Sequence, residues 1–152
     1  MYRSATNKSG VKVAVTPIPS PKRTNSPLLA EKGHLTAASF GANHPNAYLS
    51  NIHKAFEKKI SEEPNVYGKL DVVLFQDGEY LKAIPDASMD MIVTFRNSHN
   101  WIRYGGIEQV YAAFNRVLKP GGVLGVVQHR AANDADPKAA AEKGYIPEPH
   151  LI

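Results

Sequence analysis

Two nearly continuous apolar runs of strand length, Leu70-Asp71-Val72-Val73-Leu74-Phe75 and Met89 to Phe95, constrain the fold of this chain more than any other feature. A strand with one wet face alternates apolar and polar residues, whereas a near-continuous run expects cover on both faces, as in a parallel sheet. Parallel neighbours need crossover connections, which are usually helical and right-handed. The segments around the two runs supply them. Ile107, Val110, Tyr111, Phe114, Val117 and Leu118 recur at helical spacing, and Pro120 stops that helix, with Gly121-Gly122 making a turn before a last strand, Val123 to Val127. Upstream, Leu35 to Phe40 reads as a short strand and Gly41 to Pro45 as a turn. A second amphipathic helix begins near Asn46, carries Tyr48, Leu49, Ile52, Phe56 and Ile60 on one face, and is ended by Pro64. Glu79 to Ala83 fits one helical turn, Pro85 to Ser88 a turn, Ala131 to Lys143 a polar loop or weak helix, and Pro147-Glu148-Pro149 the start of a further helical turn. The expected class is α/β, a mostly parallel sheet with helices on both faces.

A chain of 152 residues suits one domain. The net charge of +4 raises nucleic-acid binding, but its position speaks against it. Arg3, Lys8, Lys12, Lys22 and Arg23 fall in the first 30 residues with no acid among them, leaving thirteen basic against fourteen acidic residues in the remainder. Neither a nucleic acid nor a membrane is expected as partner, since no apolar run approaches the ~20 residues of a bilayer span. Cysteine is absent, which removes disulfides and thiolate metal sites. Composition changes near Ser26. Residues 1–25 form an atypical basic segment, expected to be poorly ordered, whose foreign character suits a shifted reading frame or a misassigned start. Residues 26–152 form the domain. Within the first segment Val11 to Val15 alternates like a strand and can add beside Asp90 to Phe95.

Asp77-Gly78 followed by Ile84-Pro85-Asp86-Ala87-Ser88-Met89-Asp90 resembles a pattern of the class I S-adenosylmethionine-dependent methyltransferases, in which an acid after the third strand precedes an Ile-Pro, an Asp and a Ser-Phe-Asp entering the fourth. Arg116-Val117-Leu118-Lys119-Pro120-Gly121-Gly122 resembles the turn between that family's fourth helix and fifth strand. Phe95 to Trp101, Gln128 to Ala131 and Gly144 to Pro147 look like a bacterial group of predicted methyltransferases. The resemblance implies an incomplete Rossmann-like sheet, S-adenosyl-L-methionine as cofactor and a small-molecule acceptor. The family's Gly-rich turn after the first strand has no counterpart here, because Thr16-Pro17-Ile18-Pro19-Ser20-Pro21 lacks glycine and proline removes the N–H donors that approach a cofactor. A carboxyl-terminal helix and strand pair of the family are also expected to be missing. Two functional readings follow: a methyltransferase, or a non-catalytic remnant that cannot hold the cofactor. A nicotinamide-dependent oxidoreductase fares worse, since it too needs the Gly-rich turn.

Open parallel sheets bind ligands outside the carboxyl ends of their strands. That edge gives Gly41, Asp77, Gly78, Phe95 and Asn97 as cofactor-binding candidates. The resemblance makes Asp77 the acid that bonds the adenine amino group; Asp77-Gly78 is also an ordinary turn dipeptide. Asn43 stands near the place of the family's ribose-binding acid. His99 and His129 follow the fourth and fifth strands and are the candidate catalytic bases, imidazole being the side chain that titrates near neutrality. The other reading is that each ring bonds a loop backbone. Trp101 and Tyr104 either wall a substrate pocket or pack, and Arg96 and Arg130 either bind an anion or pair with surface acids. Gly105-Gly106 reads as a loop without phosphate-binding spacing, and His34, His44, His53 and His150 are assigned to the surface. No metal-ligand spacing is present.

Overall fold

The computed structural model describes residues 12–16, 33–67, 70–76, 78 and 80–151. The expectations for the Thr16–Pro21 turn and for order in residues 1–25 fall almost wholly outside them. Five strands form one sheet in the order β3-β2-β1-β4-β5: β1 (Lys12–Thr16), β2 (His34–Ser39), β3 (Leu70–Leu74), β4 (Met89–Phe95) and β5 (Leu118–Val127). Every pairing is parallel. Strand β1 stands at the centre, with Val13 opposite Leu35 on one side and Met91 on the other, which is the place beside β4 that its alternation suggested. The order reverses between β1 and β4, so the ligand-binding crevice of such a sheet belongs at their carboxyl ends.

Helices lie on both faces. Helix α1 (Ala47–Glu62) starts where Asn46 Oδ1 accepts from the backbone N–H groups of Tyr48 and Leu49, at 2.9 and 3.3 Å. It buries Phe56 against Ala37, flanked by Ile60 and Leu70. Pro64 opens a four-residue helix, α2 (Pro64–Tyr67). Successive strand residues point to opposite faces, and Ala38 joins Ala14, Ile92 and Leu124 in the larger core, opposite α1. There α4 (Ile107–Val117) buries Val110, Phe114 and Val117, and α3 (Ser98–Tyr104) adds Trp101.

The Met89–Phe95 run is covered as its composition leads one to expect, with no exposed residue, whereas Leu70–Phe75 and the last strand are less covered. Val72 and Leu74 of β3, and Val123 and Val127 of β5, remain 39–53% exposed. Register places these four side chains on the face that carries α1. A helix about 10 Å across spans only some two strand spacings of about 4.8 Å, so α1 over β2 leaves the outer strands open. The Pro120-Gly121-Gly122 turn is drawn into β5, which begins at Leu118 and pairs with Met89; a register irregularity between Met89 and Met91 absorbs it. No helical turn forms at Tyr80–Ala83. Leu81 takes φ 54° instead, and Ile84 N–H closes a turn on Leu81 O at 2.9 Å. Glu79 lies outside the described residues.

Past β5, β6 (His129–Ala131) and β7 (Tyr145–Pro147) make a separate parallel pair around α5 (Pro137–Glu142), and a 3-10 turn follows over Glu148–His150. Asp136 caps α5 by accepting from Ala139 N–H at 2.7 Å, and Pro137 occupies its first turn. Among the described residues no helix is long and apolar enough to cross a membrane.

Candidate functional site

The carboxyl edge of β2, β3 and β4 opens into a cleft of about 670 Å³. Phe40 and the His44-Pro45-Asn46 loop enter it from the end of β2, followed by Tyr48 and Leu49 from the first turn of α1. Phe75 and Gln76 come from the end of β3, with Tyr80 beyond them. The end of β4 supplies Asn97 and, through α3, Asn100, Trp101 and Tyr104. Gly106 completes the lining, and its lack of a side chain matters, because a Cβ there would lie 3.1 Å from Tyr80 Oη. Among the described lining residues there is no Asp, Glu, Lys or Arg.

Polar contacts fix these loops. The 41–46 loop is closed by His44 N–H donating to Gly41 O at 3.0 Å and by Asn46 N–H donating to His44 Nδ1 at 3.1 Å. Ser50 of α1 donates its hydroxyl to Ala42 O. His53 bonds Ser39 Oγ through Nδ1 at 3.1 Å and contacts Glu57 Oε1 through Nε2 at 3.1 Å. It is therefore a buried tie between α1 and the end of β2, where the sequence suggested a surface residue. At the end of β4, Arg96 turns the chain with a left-handed φ of 55°, donating its N–H to Val127 O at 2.7 Å. That turn delivers Asn97, buried, with Nδ2 donating to Phe95 O at 3.0 Å. Phe75 meets Trp101 and Tyr80 with ring centroids 5.8 and 5.0 Å apart, forming an aromatic floor.

Of the residues singled out from sequence, Asn97, Trp101 and Tyr104 line this cleft. Asp77 lies outside the described residues. Gly41, Gly78 and Phe95 stand at the same edge of the sheet without entering the lining; Gly78 is exposed at φ 72°, and a Cβ on Gly41 would come 3.3 Å from Leu74 Cδ2. Asn43 is exposed in the loop. His99 and His129 follow β4 and β5 but keep different company. His99 Nδ1 lies 3.3 Å from Gln128 Oε1, and Gln128 Nε2 donates to Gly144 O at 2.8 Å. Since the amide nitrogen is committed to a carbonyl, the oxygen faces the imidazole, so His99 carries its proton on Nδ1. His129 is exposed, its ring 5.5 Å from that of Tyr145. Arg130 pairs with Glu148 at 2.9 Å. Phe40, His44, Asn46, Tyr48, Gln76 and Tyr80 were not singled out as site residues, although Phe40 and Gln76 follow closely on the carboxyl ends of β2 and β3. Among the described residues no group of three His, Asp or Glu is placed to hold a metal ion.

No family model matches the sequence, and no curated protein matches it. Solved structures do match. The glycopeptide N-methyltransferase MtfA complexed with S-adenosyl-L-homocysteine superposes with a TM-score of 0.58 at 20% identity, over 85% of this chain and 47% of that one. The fold is that of the class I methyltransferases. MtfA complexed with S-adenosyl-L-methionine gives the same TM-score of 0.58 at 19% identity, over 85% of this chain and 52% of that one. The CurJ carbon methyltransferase gives 0.56 at 15% identity, over 84% and 31% respectively. The chain thus spans about half the length of MtfA. Within this methyltransferase fold the cleft lies at the carboxyl ends of β2, β3 and β4.

Proposed function

We propose that this chain binds S-adenosyl-L-methionine in the cleft and serves methyl transfer to a small-molecule acceptor. One observation carries the reading: an aromatic and amide-lined cleft of about 670 Å³ at the carboxyl edge of a 3-2-1-4-5 parallel sheet. Its size falls in the range of about 300–1,000 Å³ usual for small-molecule sites. The residues present fit the group. Phe40 and Tyr80 offer ring faces to a purine, and Gln76 and Asn97 offer neutral amides able to donate and accept. No Lys or Arg of the described lining repels a sulfonium. Bound S-adenosyl-L-methionine supplies an electrophilic methyl group. By resemblance Asp77 takes the adenine amino group, with Gly78, Gly41 and Phe95 shaping the backbone beside it.

Methyl transfer rests chiefly on positioning, and a base is needed only when the acceptor loses a proton. His99 is the base we assign for such an acceptor. With the proton on Nδ1, its Nε2 has a free lone pair. His129 is the alternative, further out on β6. Neither ring lines the cleft, so either role requires an acceptor that reaches from the cleft toward β6. Calorimetry of the chain with S-adenosyl-L-homocysteine tests the reading. Saturable binding is expected, weakened about tenfold in Asn97→Ala, where a buried amide contact worth roughly 1.4 kcal/mol is lost. Absence of heat would favour the non-catalytic remnant.

A further inference from the structure

We infer that Gln128 is a positioning residue for His99: its amide holds the imidazole in the Nδ1–H form, leaving the Nε2 lone pair to take the acceptor's proton. The inference rests on the methyltransferase reading for the source of that proton, and on geometry alone for the tautomer. Gln128 follows directly on β5. His99 lies in α3 between Asn97 and Asn100, two residues of the cleft lining. An amide can face a ring with either end, and a neutral imidazole can carry its proton on either nitrogen, so the contact alone does not name the donor. Gly144 removes the choice. Gln128 Nε2 lies 2.8 Å from Gly144 O, and a flipped amide would set two carbonyl oxygens at that distance with no hydrogen between them. Oε1 therefore faces His99 Nδ1 at 3.3 Å, and only a ring with its proton on Nδ1 can donate to it. Gly144 is itself fixed: its N–H donates to Ala141 O at 2.9 Å, and its φ of 84° is a left-handed conformation that favours glycine. One chain of bonds thus runs from the end of α5 through Gln128 to the ring.

The other side of the ring is open. A Cβ at Gly144 would stand 4.0 Å from His99 Nε2, and no other described atom outside its chain neighbours lies within 4 Å of that point. Without the Cβ, a ligand atom has room beside the lone pair. When an O–H or N–H bond of the acceptor breaks there, its proton forms the Nε2–H bond and the freed electron pair takes the methyl group. The charge that leaves the sulfonium ends on the imidazolium. Nδ1–H then donates to Gln128 from a charged ring, and such bonds are stronger than neutral ones. His129 has no comparable support: its ring rests on Tyr145, and among the described residues no hydrogen bond sets its tautomer.

Nitrogen-15 NMR of the full chain labelled in histidine tests this at about pH 8.5, above the ordinary imidazole value of about 6.5. His99→Gln assigns one ring among the six. His99 is expected with a protonated Nδ1 and a bare Nε2. Gln128→Leu should return the Nε2–H form, which an unconstrained histidine prefers, whereas Gln128→Glu keeps an oxygen before the ring and should keep the Nδ1 proton. A side chain that merely packed would not move the proton. Diethyl pyrocarbonate, which acylates a bare imidazole nitrogen, should modify His99 at Nε2 about fivefold faster in the wild type than in Gln128→Leu, the weight of one neutral hydrogen bond. An Nε2–H ring in the wild type, an unchanged Nδ1–H ring in Gln128→Leu, or a wild-type His99 inert to the reagent would overturn the inference. Circular dichroism checks the leucine variant; should it not fold, the wild-type spectrum and the reagent still decide. The expected tautomer with no heat from S-adenosyl-L-homocysteine leaves the positioning standing and removes the cofactor reading. Heat with the other tautomer removes the positioning alone.

Discussion

Thr94 stands fully buried in β4, in register with Thr16, with no hydrogen-bond partner for its hydroxyl among the described residues. A buried donor left unpaired costs about 1–3 kcal/mol in lost hydration, and valine has the same shape without the hydroxyl. Thr94→Val should therefore raise the unfolding free energy by about 1 kcal/mol, read as a higher urea midpoint at unchanged slope; a lower midpoint would mean that the hydroxyl is satisfied in solution. At this scale the sequence was partly legible. Asn97, Trp101 and Tyr104 stood out because they follow a recognisable strand, and all three line the cleft. His44 and Tyr48 did not, for opposite reasons: a lone histidine carries no pattern, and Tyr48 fits the helical stripe of apolar residues although the fold leaves it in water. His53 escaped because burial of a polar ring depends on a partner brought in from β2, Ser39, which no local pattern announces.

Arg116 shows what a motif does at the scale of elements. From the last turn of α4 its guanidinium donates to Ile84 O at 3.0 Å and to Leu81 O at 2.8 Å, and pairs with Asp86. Lys119 pairs with Asp90 at 2.5 Å. The two basic residues of the Arg-Val-Leu-Lys turn thus clamp the stretch from Leu81 to the start of β4 at Asp90. Arg116→Ala should cost about 2 kcal/mol, since two carbonyls lose a charged donor. Arg116→Lys should recover less than half, because one ammonium cannot reproduce the planar fork. Full recovery by lysine, in thermal or denaturant unfolding, would show that charge alone matters there. Elements with a long period were readable in advance: α1, α4 and the strands from β2 to β5. Helix α3, with seven residues, and β6 and β7, with three each, are too short to show a period, and they form because α5 and the Gln128–Gly144 bond bring them together.

The whole molecule hangs on β1. It is the only described strand that joins the β2–β3 half of the sheet to the β4–β5 half, and it comes from the segment least like the rest in composition. Its alternation made a place beside β4 legible; that it would also pair with β2 and close a 3-2-1-4-5 order was not, because strand order is settled by packing at long range. Ala14 is wholly buried in the larger core, in register with Thr36 and Ile92. Ala14→Asp buries an unpaired carboxylate and should cost about 3–5 kcal/mol, whereas Val123→Asp, half exposed on β5, should cost under about 1 kcal/mol. Similar losses for the two variants in denaturant titration would deny β1 its central role. The same arrangement has a consequence for synthesis in the cell. Ribosomes add about 5–20 residues per second, so the stretch from Val13 to Met91 takes roughly 4–16 s to emerge. For that interval the leading strand has β2 to hold and an open, aggregation-prone edge where β4 belongs, a window in which a nascent-chain chaperone has time to act.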